Sequence, residues 1–139
     1  MFRQREEGGE VEKDFLKKQL QKLVQAIQRV LKLSSDQQHQ QAEDELQQIA
    51  ATSLKLDATR LGSLDVASCA MILGTPERLR LYAVILRAEA ELARARGQTQ
   101  RARDRLVRAQ KLHQLADARS PTDELSKQEQ AHLADLLSR

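Results

Sequence analysis

The sequence predicts an all-α fold, a compact bundle of about six helices, and three observations favour it. Apolar residues recur at helical spacing over long stretches, and no stretch alternates apolar and polar residues as a strand does. Only five glycines and two prolines occur in 139 residues, so turns are few and the elements between them are long. Aromatic residues make up 2% of the chain, and a core of Leu, Ile, Val and Ala suits closely packed helices better than a sandwich or barrel.

The N-terminal half begins with a segment without apolar periodicity. Residues 1–9 are predicted to be disordered, and residues 10–139 are predicted to form a single helical domain. The first helix is expected over about residues 10–33, because its apolar residues fall within roughly 120° of a helical wheel. Their spacing also fits about two heptads of a coiled coil, so a homodimer through this helix is the alternative to an intramolecular core. These residues are Leu16, Leu20, Leu23, Val24, Ile27, Val30 and Leu31.

The second helix is expected over about residues 37–53, with N-cap candidates in Ser34-Ser35-Asp36. Its inward residues are Ala42, Leu46, Ile49 and Ala50. Residues 54–64 are irregular, and we expect one helical turn near residues 58–61 that Gly62 stops. Ser63 would then cap a short helix over residues 64–73. That helix is apolar on nearly all sides, so we expect it to be buried, with Cys69 as a small core residue.

The central helix of the bundle is predicted from Thr75 to Arg96. Gly74 ends the preceding helix, Thr75 is an N-cap, and Pro76 stands where the missing N–H costs nothing. Two apolar faces on this helix indicate that neighbours pack on both sides. Between those faces we expect a polar line that consists of Arg78, Glu89 and Arg96, with a salt bridge at Glu89. The solvent side is expected to carry Arg80, Arg87, Glu91 and Arg94.

Two further helices complete the predicted bundle. After Gly97 a helix is expected over about residues 99–116, with Ala102, Leu106, Ala109, Leu112 and Ala116 inward. A loop over residues 117–122 follows. The last helix is expected over residues 127–138, where Ser126 and Glu129 have the spacing of a capping box.

The hairpin around Gly97 resembles the tetratricopeptide repeat. In that family a Gly closes the first helix, and an Ala, a large apolar residue and a second Ala follow, as Gly97, Ala102, Leu106 and Ala109 do here. The small residues lie where two antiparallel helices approach closely. A fainter match earlier in the chain involves Ala42, Leu46 and Ile49. The two alanines that match lie 60 residues apart instead of the 34 of a tandem array, and the usual large aromatic and terminal proline are absent.

The whole arrangement also resembles short bacterial helical proteins of an uncharacterised family with tetratricopeptide-like helix pairs. In that group an amphipathic N-terminal helix leads into such pairs, and the resemblance covers about residues 10–139. It implies a fold made of helix hairpins and implies no chemistry.

Motifs that carry chemistry are missing from the sequence. Neither a phosphate-binding glycine loop nor a G-x-S-x-G elbow occurs, so no catalytic residue and no cofactor is predicted. His39, His113 and His132 lie on three different predicted helices and are expected at the surface or its edge. Glu129-x-x-His132 has the spacing of di-iron bundles but no second copy, so no metal site is predicted.

A basic stretch covers residues 94–119, where eight Arg and Lys residues face two acids. Arg101, Arg105 and Arg108 share one edge of their helix and are numerous enough to contact a phosphate backbone. No aromatic residues are interleaved for stacking on bases. The pattern therefore favours a solvated face or a docking face for an acidic partner over nucleic acid.

Together these observations predict a non-enzymatic protein-protein interaction module with an unknown protein partner. The contact surface would be the groove between the second and the central helix, or the basic edge of the helix over residues 99–116. The alternative is a nucleic-acid-associated protein acting through that arginine edge. A lone cysteine and the lack of a leader or apolar span favour a cytoplasmic location and no membrane partner. The candidate surface residues are Arg101, Arg105, Arg108, Arg78, Glu89 and Arg96.

Overall fold

A computed structural model describes the backbone of residues 2–139 and the side chains of residues 15–57 and 59–139. Within this part the chain forms seven α-helices and no strand, which confirms the all-α prediction. The expectation of a disordered segment at residues 1–9 falls outside the described side chains and stays a prediction. The helices are α1 (Phe2–Ser35), α2 (His39–Leu54), α3 (Ala58–Gly62), α4 (Val66–Leu73), α5 (Pro76–Ala95), α6 (Thr99–Arg119) and α7 (Glu124–Ser138).

Helices α1 and α2 form the first hairpin. The apolar stripe of α1 is buried against α2 and α5, as the wheel pattern predicts, with Ile27 and Val30 fully enclosed. A homodimer through α1 would therefore need a different face, and it stays a prediction. The expected serine caps of α2 are wrong, because α1 continues through Ser35: the Ser35 hydroxyl donates to the Leu31 carbonyl, and Gln38 takes the cap position without a side-chain hydrogen bond.

Helices α3 and α4 connect the two hairpins. The helical turn at residues 58–62 is present as predicted, and the Asp57 side chain accepts from the Thr59 N–H at 2.9 Å. Ser63 does not cap α4; its hydroxyl donates to the Arg60 carbonyl, and Asp65 occupies the cap position.

The expected burial of α4 on nearly all sides is also wrong. Helices α5 and α6 pack against one side of it, where Cys69 is buried as predicted. The other side is open, and the side chains of Met71 and Ile72 are 81% and 53% exposed.

Helix α5 is the centre of the fold, as its two apolar faces predict. Helices α1, α2, α4, α6 and α7 all pack against it, and 13 of its 20 residues are buried. Helix α5 begins as predicted: the N-cap Thr75 accepts from the Arg78 N–H at 3.3 Å through its hydroxyl, and Pro76 occupies the first turn.

The predicted solvent side of α5 is not in solvent. Arg80 and Arg87 are only 4% and 5% exposed, because α7 and the loop before it cover this side. Arg87 forms a fork with Glu129 of α7, Nη2 to Oε1 at 2.8 Å and Nε to Oε2 at 3.2 Å, and donates to Glu91 at 2.7 Å. Burial opposes the positive charge, but the two carboxylates outweigh it and raise the pKa of Arg87.

Arg80 is held by the loop between α6 and α7. Its Nη2 donates to the Ser120 carbonyl at 2.9 Å and lies 3.3 Å from the Asp117 carboxylate. Arg94, also assigned to the solvent side from the sequence, donates to the Leu136 carbonyl at 3.2 Å. Three arginines of one helix thus hold the C-terminal segment in place.

Helix α6 runs antiparallel to α5 and makes the largest helix–helix interface. All five predicted inward residues of α6 are buried. The turn between the helices is a Schellman motif: Gly97 has φ +78°, the Gln98 N–H donates to the Ala93 carbonyl at 2.9 Å, and the Gly97 N–H donates to Arg94.

Helix α7 begins three residues earlier than predicted. Asp123 caps it by accepting from the Ser126 N–H at 2.8 Å, so the predicted capping box is wrong. Ser126 and Glu129 lie inside the helix and are buried, because α7 turns this side towards α5.

A buried histidine of α6 lies near Arg80 and Asp117. His113 is 2% exposed, contrary to its expected surface position, because that side of α6 lies in the packed interior. Its Nδ1 atom has no hydrogen-bond partner. Burial, reinforced by the Arg80 charge and opposed by Asp117, lowers the pKa of His113 to about 4.

We expect Gly97→Ala to destabilise the protein by about 1 kcal/mol, because an L-residue is strained at positive φ. No atom lies within 4 Å of an added Cβ there, so the cost is conformational. Gly62→Ala is the matched control, since its site is equally open without positive φ, and it is expected to be neutral or slightly stabilising. Urea denaturation measures both; an equal effect would contradict the assigned role of the turn.

We expect the unfolding free energy to fall as the pH drops from about 6.5 towards 4. In this range His113 is protonated in the unfolded chain and stays neutral in the folded protein. For a pKa of about 4 against an ordinary 6.5, the loss between pH 7 and 5 is about 2 kcal/mol. His113→Leu removes this loss. The control is His132→Leu, whose side chain is 43% exposed. Urea denaturation at the two pH values measures the unfolding free energy of the wild type and of each variant. If His113→Leu loses as much stability between pH 7 and 5 as the wild type does, the assignment to His113 is wrong.

Candidate functional site

A concave surface lies between α2, α5 and the first half of α6. It is a cleft of about 460 Å³, and Gly62 and Ser63 also line it. Its position corresponds to the groove predicted between the second and the central helix. The apolar floor consists of Leu46, Ala50, Leu92 and Ala93, and the charged side chains along it include Glu43, Glu89, Arg96, Arg101 and Arg105.

The inner charges of the cleft are Glu89 of α5 and Arg105 of α6. The Arg105 Nε lies 2.7 Å from the Glu89 Oε2, and the two side chains are 21% and 32% exposed. The Glu89 pKa is raised because burial disfavours its charge more strongly than Arg105 and Arg101 favour it. The salt bridge expected at Glu89 is present, and its partner is Arg105 of α6, which reaches it from across the hairpin.

The outer charges of the cleft come from three helices. Arg96, the C-cap of α5, forms an ion pair with Glu43 of α2, and both side chains are about one-third exposed. Arg101 of α6 is exposed and has no carboxylate within 4 Å among the described residues. The cleft thus presents one unpaired guanidinium beside two paired ones.

Tyr82 contributes to the floor of the cleft, although the sequence shows it only as one of several apolar-face residues. It is 1% exposed, and burial together with the nearby Glu89 charge raises its pKa to about 12. Its hydroxyl therefore keeps its proton at physiological pH. A tyrosine inside a helix gives no sequence pattern that separates a core position from a cleft floor.

Arg108 and Arg78 lie outside the cleft and hold the fold. Arg108 donates to the carbonyls of Leu64 at 2.7 Å and Leu61 at 3.0 Å, and its Nη2 is 3.2 Å from the Cys69 Sγ. Arg78 donates to the Leu54 carbonyl at 2.6 Å. The structure therefore brings four of the six candidate residues to one site and assigns these two to interhelical contacts.

The three histidines lie in separate environments. His39 contacts the Ser34 hydroxyl at 3.1 Å, and the His132 Nε2 lies 3.4 Å from the Glu91 carboxylate. Among residues 15–57 and 59–139, no group of three or more His, Cys, Asp or Glu side chains is placed to hold a metal ion. In the same described part, no helix is both long and apolar enough to cross a membrane.

Comparisons of the chain with protein-family models, with curated protein sequences and with solved structures give no match. The cleft is therefore interpreted from its own residues. It combines an apolar floor with three guanidinium groups, an arrangement suited to binding an anionic group attached to an apolar one.

We expect Arg108→Ala to destabilise the protein by roughly 2 kcal/mol, because three contacts of a charged donor to α3 and α4 are lost. Arg101→Ala removes an exposed arginine from the same helix edge and should change stability by no more than about 0.5 kcal/mol. Urea denaturation measures both, and equal losses would show that the division between structural and surface arginines is wrong.

Proposed function

We propose that the protein is a non-enzymatic, tetratricopeptide-like interaction module whose cleft between α2, α5 and α6 receives a segment of another protein. One observation carries the proposal: the cleft joins an apolar floor to an exposed, unpaired Arg101. Arginine beside a desolvated apolar floor is a common basis of binding hot spots in protein interfaces. A cytoplasmic, bacterial setting is part of the same proposal.

The size of the cleft supports a peptide segment as occupant. A volume of about 460 Å³ lies within the range of roughly 300–1,000 Å³ that is usual for ligand sites, and it accommodates a few side chains. The cleft is lined by the core helices α2, α5 and α6 and by the short α3 segment. Its walls are therefore largely preformed, and little ordering cost falls on this protein.

The titratable groups of the cleft support binding over catalysis. Glu89 is held by Arg105, and Tyr82 keeps its proton. Cys69 is buried outside the cleft, beside Arg108. Covalent catalysis uses a nucleophile within reach of a general base, whereas the Ser63 hydroxyl of the cleft lining donates to the Arg60 carbonyl.

Nucleic acid is the alternative occupant, and the structure gives it a specific difficulty. A phosphate backbone binds a row of free cations. On the α6 edge, Arg105 is paired with Glu89, and Arg108 is used on backbone carbonyls. A salt titration with mixed-sequence DNA and RNA tests this alternative. No binding at low salt would remove it, whereas salt-dependent binding weakened by Arg101→Ala would favour it.

We expect Ala51→Trp to abolish partner binding, because Ala51 is an exposed residue of the cleft wall and an indole would fill the space. Gln110→Trp is the matched control, an exposed residue of α6 outside the cleft lining. The native cell extract is passed over the immobilised wild type and both variants. Proteins retained by the wild type and Gln110→Trp should be lost with Ala51→Trp.

Circular dichroism and thermal unfolding establish that both tryptophan variants are folded. If folded Ala51→Trp retains the same proteins as the wild type, the cleft is not the binding surface and the proposed function is wrong.

A further inference from the structure

Two of the three arginines in the cleft are already occupied by carboxylates of the same chain. Arg105 of α6 pairs with Glu89 of α5, and Arg96 at the end of α5 pairs with Glu43 of α2. Each pair joins two different helices across or beside the apolar floor. Arg101 lies at the same site without such a partner.

These ion pairs are exchangeable. All four side chains remain between about one-fifth and one-third exposed, and partly exposed ion pairs contribute only about 0–1 kcal/mol. Glu89 is the weaker member, since burial already works against its charge. An arginine can therefore change its carboxylate partner at little cost in stability.

The charge arrangement favours an acidic occupant. Arg101 offers an incoming carboxylate an unpaired guanidinium. Arg105 and Arg96 can bind further carboxylates if these replace Glu89 and Glu43 as their partners. A basic segment would meet the unpaired Arg101, while Glu89 and Glu43 are already paired with arginines. Asp57, the third carboxylate of the cleft lining, lies 4.0 Å from Arg60 and accepts from the Thr59 N–H. The apolar floor at Leu46 and Leu92 adds a place for one apolar side chain between acidic ones.

We propose that Glu89 and Glu43 are internal competitors that occupy the cleft arginines until an acidic segment of a partner protein, carrying an apolar residue, displaces them. This inference rests on the proposed function and specifies its partner. It differs from a simple basic patch, because removing an acid that belongs to the cleft should strengthen binding more than removing an acid elsewhere.

We expect Glu89→Gln to lower the Kd for an acidic segment about tenfold, because the amide frees the Arg105 charge. Glu43→Gln should act in the same direction, and Arg101→Ala should weaken binding. Asp104→Asn is the matched control: Asp104 is exposed on α6 outside the cleft lining, and the substitution changes net charge equally.

Fluorescence anisotropy measures these effects with three labelled probes. The first is a synthetic twelve-residue peptide of alternating Glu and Leu, the second has Lys in place of every Glu, and the third is a twelve-nucleotide single-stranded DNA. Urea denaturation of each variant establishes that it is folded.

The inference is supported if Glu89→Gln binds the Glu-Leu peptide more tightly than both the wild type and Asp104→Asn, without tighter binding of the Lys-Leu peptide. It is overturned if Glu89→Gln and Asp104→Asn bind alike, or if the DNA gains as much as the peptide. It is also overturned if no peptide binds while Ala51→Trp still abolishes capture of the partner, and the proposed function then stands. If Ala51→Trp leaves capture unchanged, both proposals are wrong.

Discussion

The enclosure of α5 is the constraint on which the rest of the structure depends. A helix packed on most of its sides must bury many of the polar residues it carries, and a buried charge without a partner costs several kcal/mol. Arg80 and Arg87 therefore require acceptors inside the bundle, which Asp117, the Ser120 carbonyl and Glu129 supply. Helix α7 thus supplies Glu129 to Arg87 in addition to burying Leu133 and Leu136.

Local patterns in the sequence predict the elements well, because their causes are local. Thr75-Pro76 starts α5, Gly97 ends the hairpin turn, and the inward alanines of α6 are buried as expected. Contacts between residues far apart in the sequence cannot be predicted from such local patterns. Arg87 and Glu129 are 42 positions apart, so a helical wheel assigns the arginine to solvent. The exposure of one side of α4 could not be predicted for the same reason, since the apolar composition of a short helix does not show how many other helices pack against it.

The cleft shows the same division. Helix faces and charge indicate the groove between α2 and α5 and the basic edge of α6 as two alternative surfaces. The fold joins them, because Glu89 and Arg96 of α5 line the same cleft as Arg101 and Arg105 of α6. The role of each group could not be predicted, because a helical wheel does not distinguish an arginine that is free from one that is bound within the fold. Only the fold separates Arg101, which is free, from its neighbour Arg108, which holds two backbone carbonyls and lies beside a thiol.

That thiol gives the molecule a built-in reporter. Cys69 is the only cysteine of the chain and is fully buried, with its Sγ beside the Leu61 carbonyl and Arg108. A thiol reagent can therefore reach it only when the packing around α4 opens. The rate of modification under native conditions therefore measures the free energy of this local opening, separately from the global unfolding of the bundle. The attachment of one short connecting segment can thus be followed in the unlabelled wild-type protein.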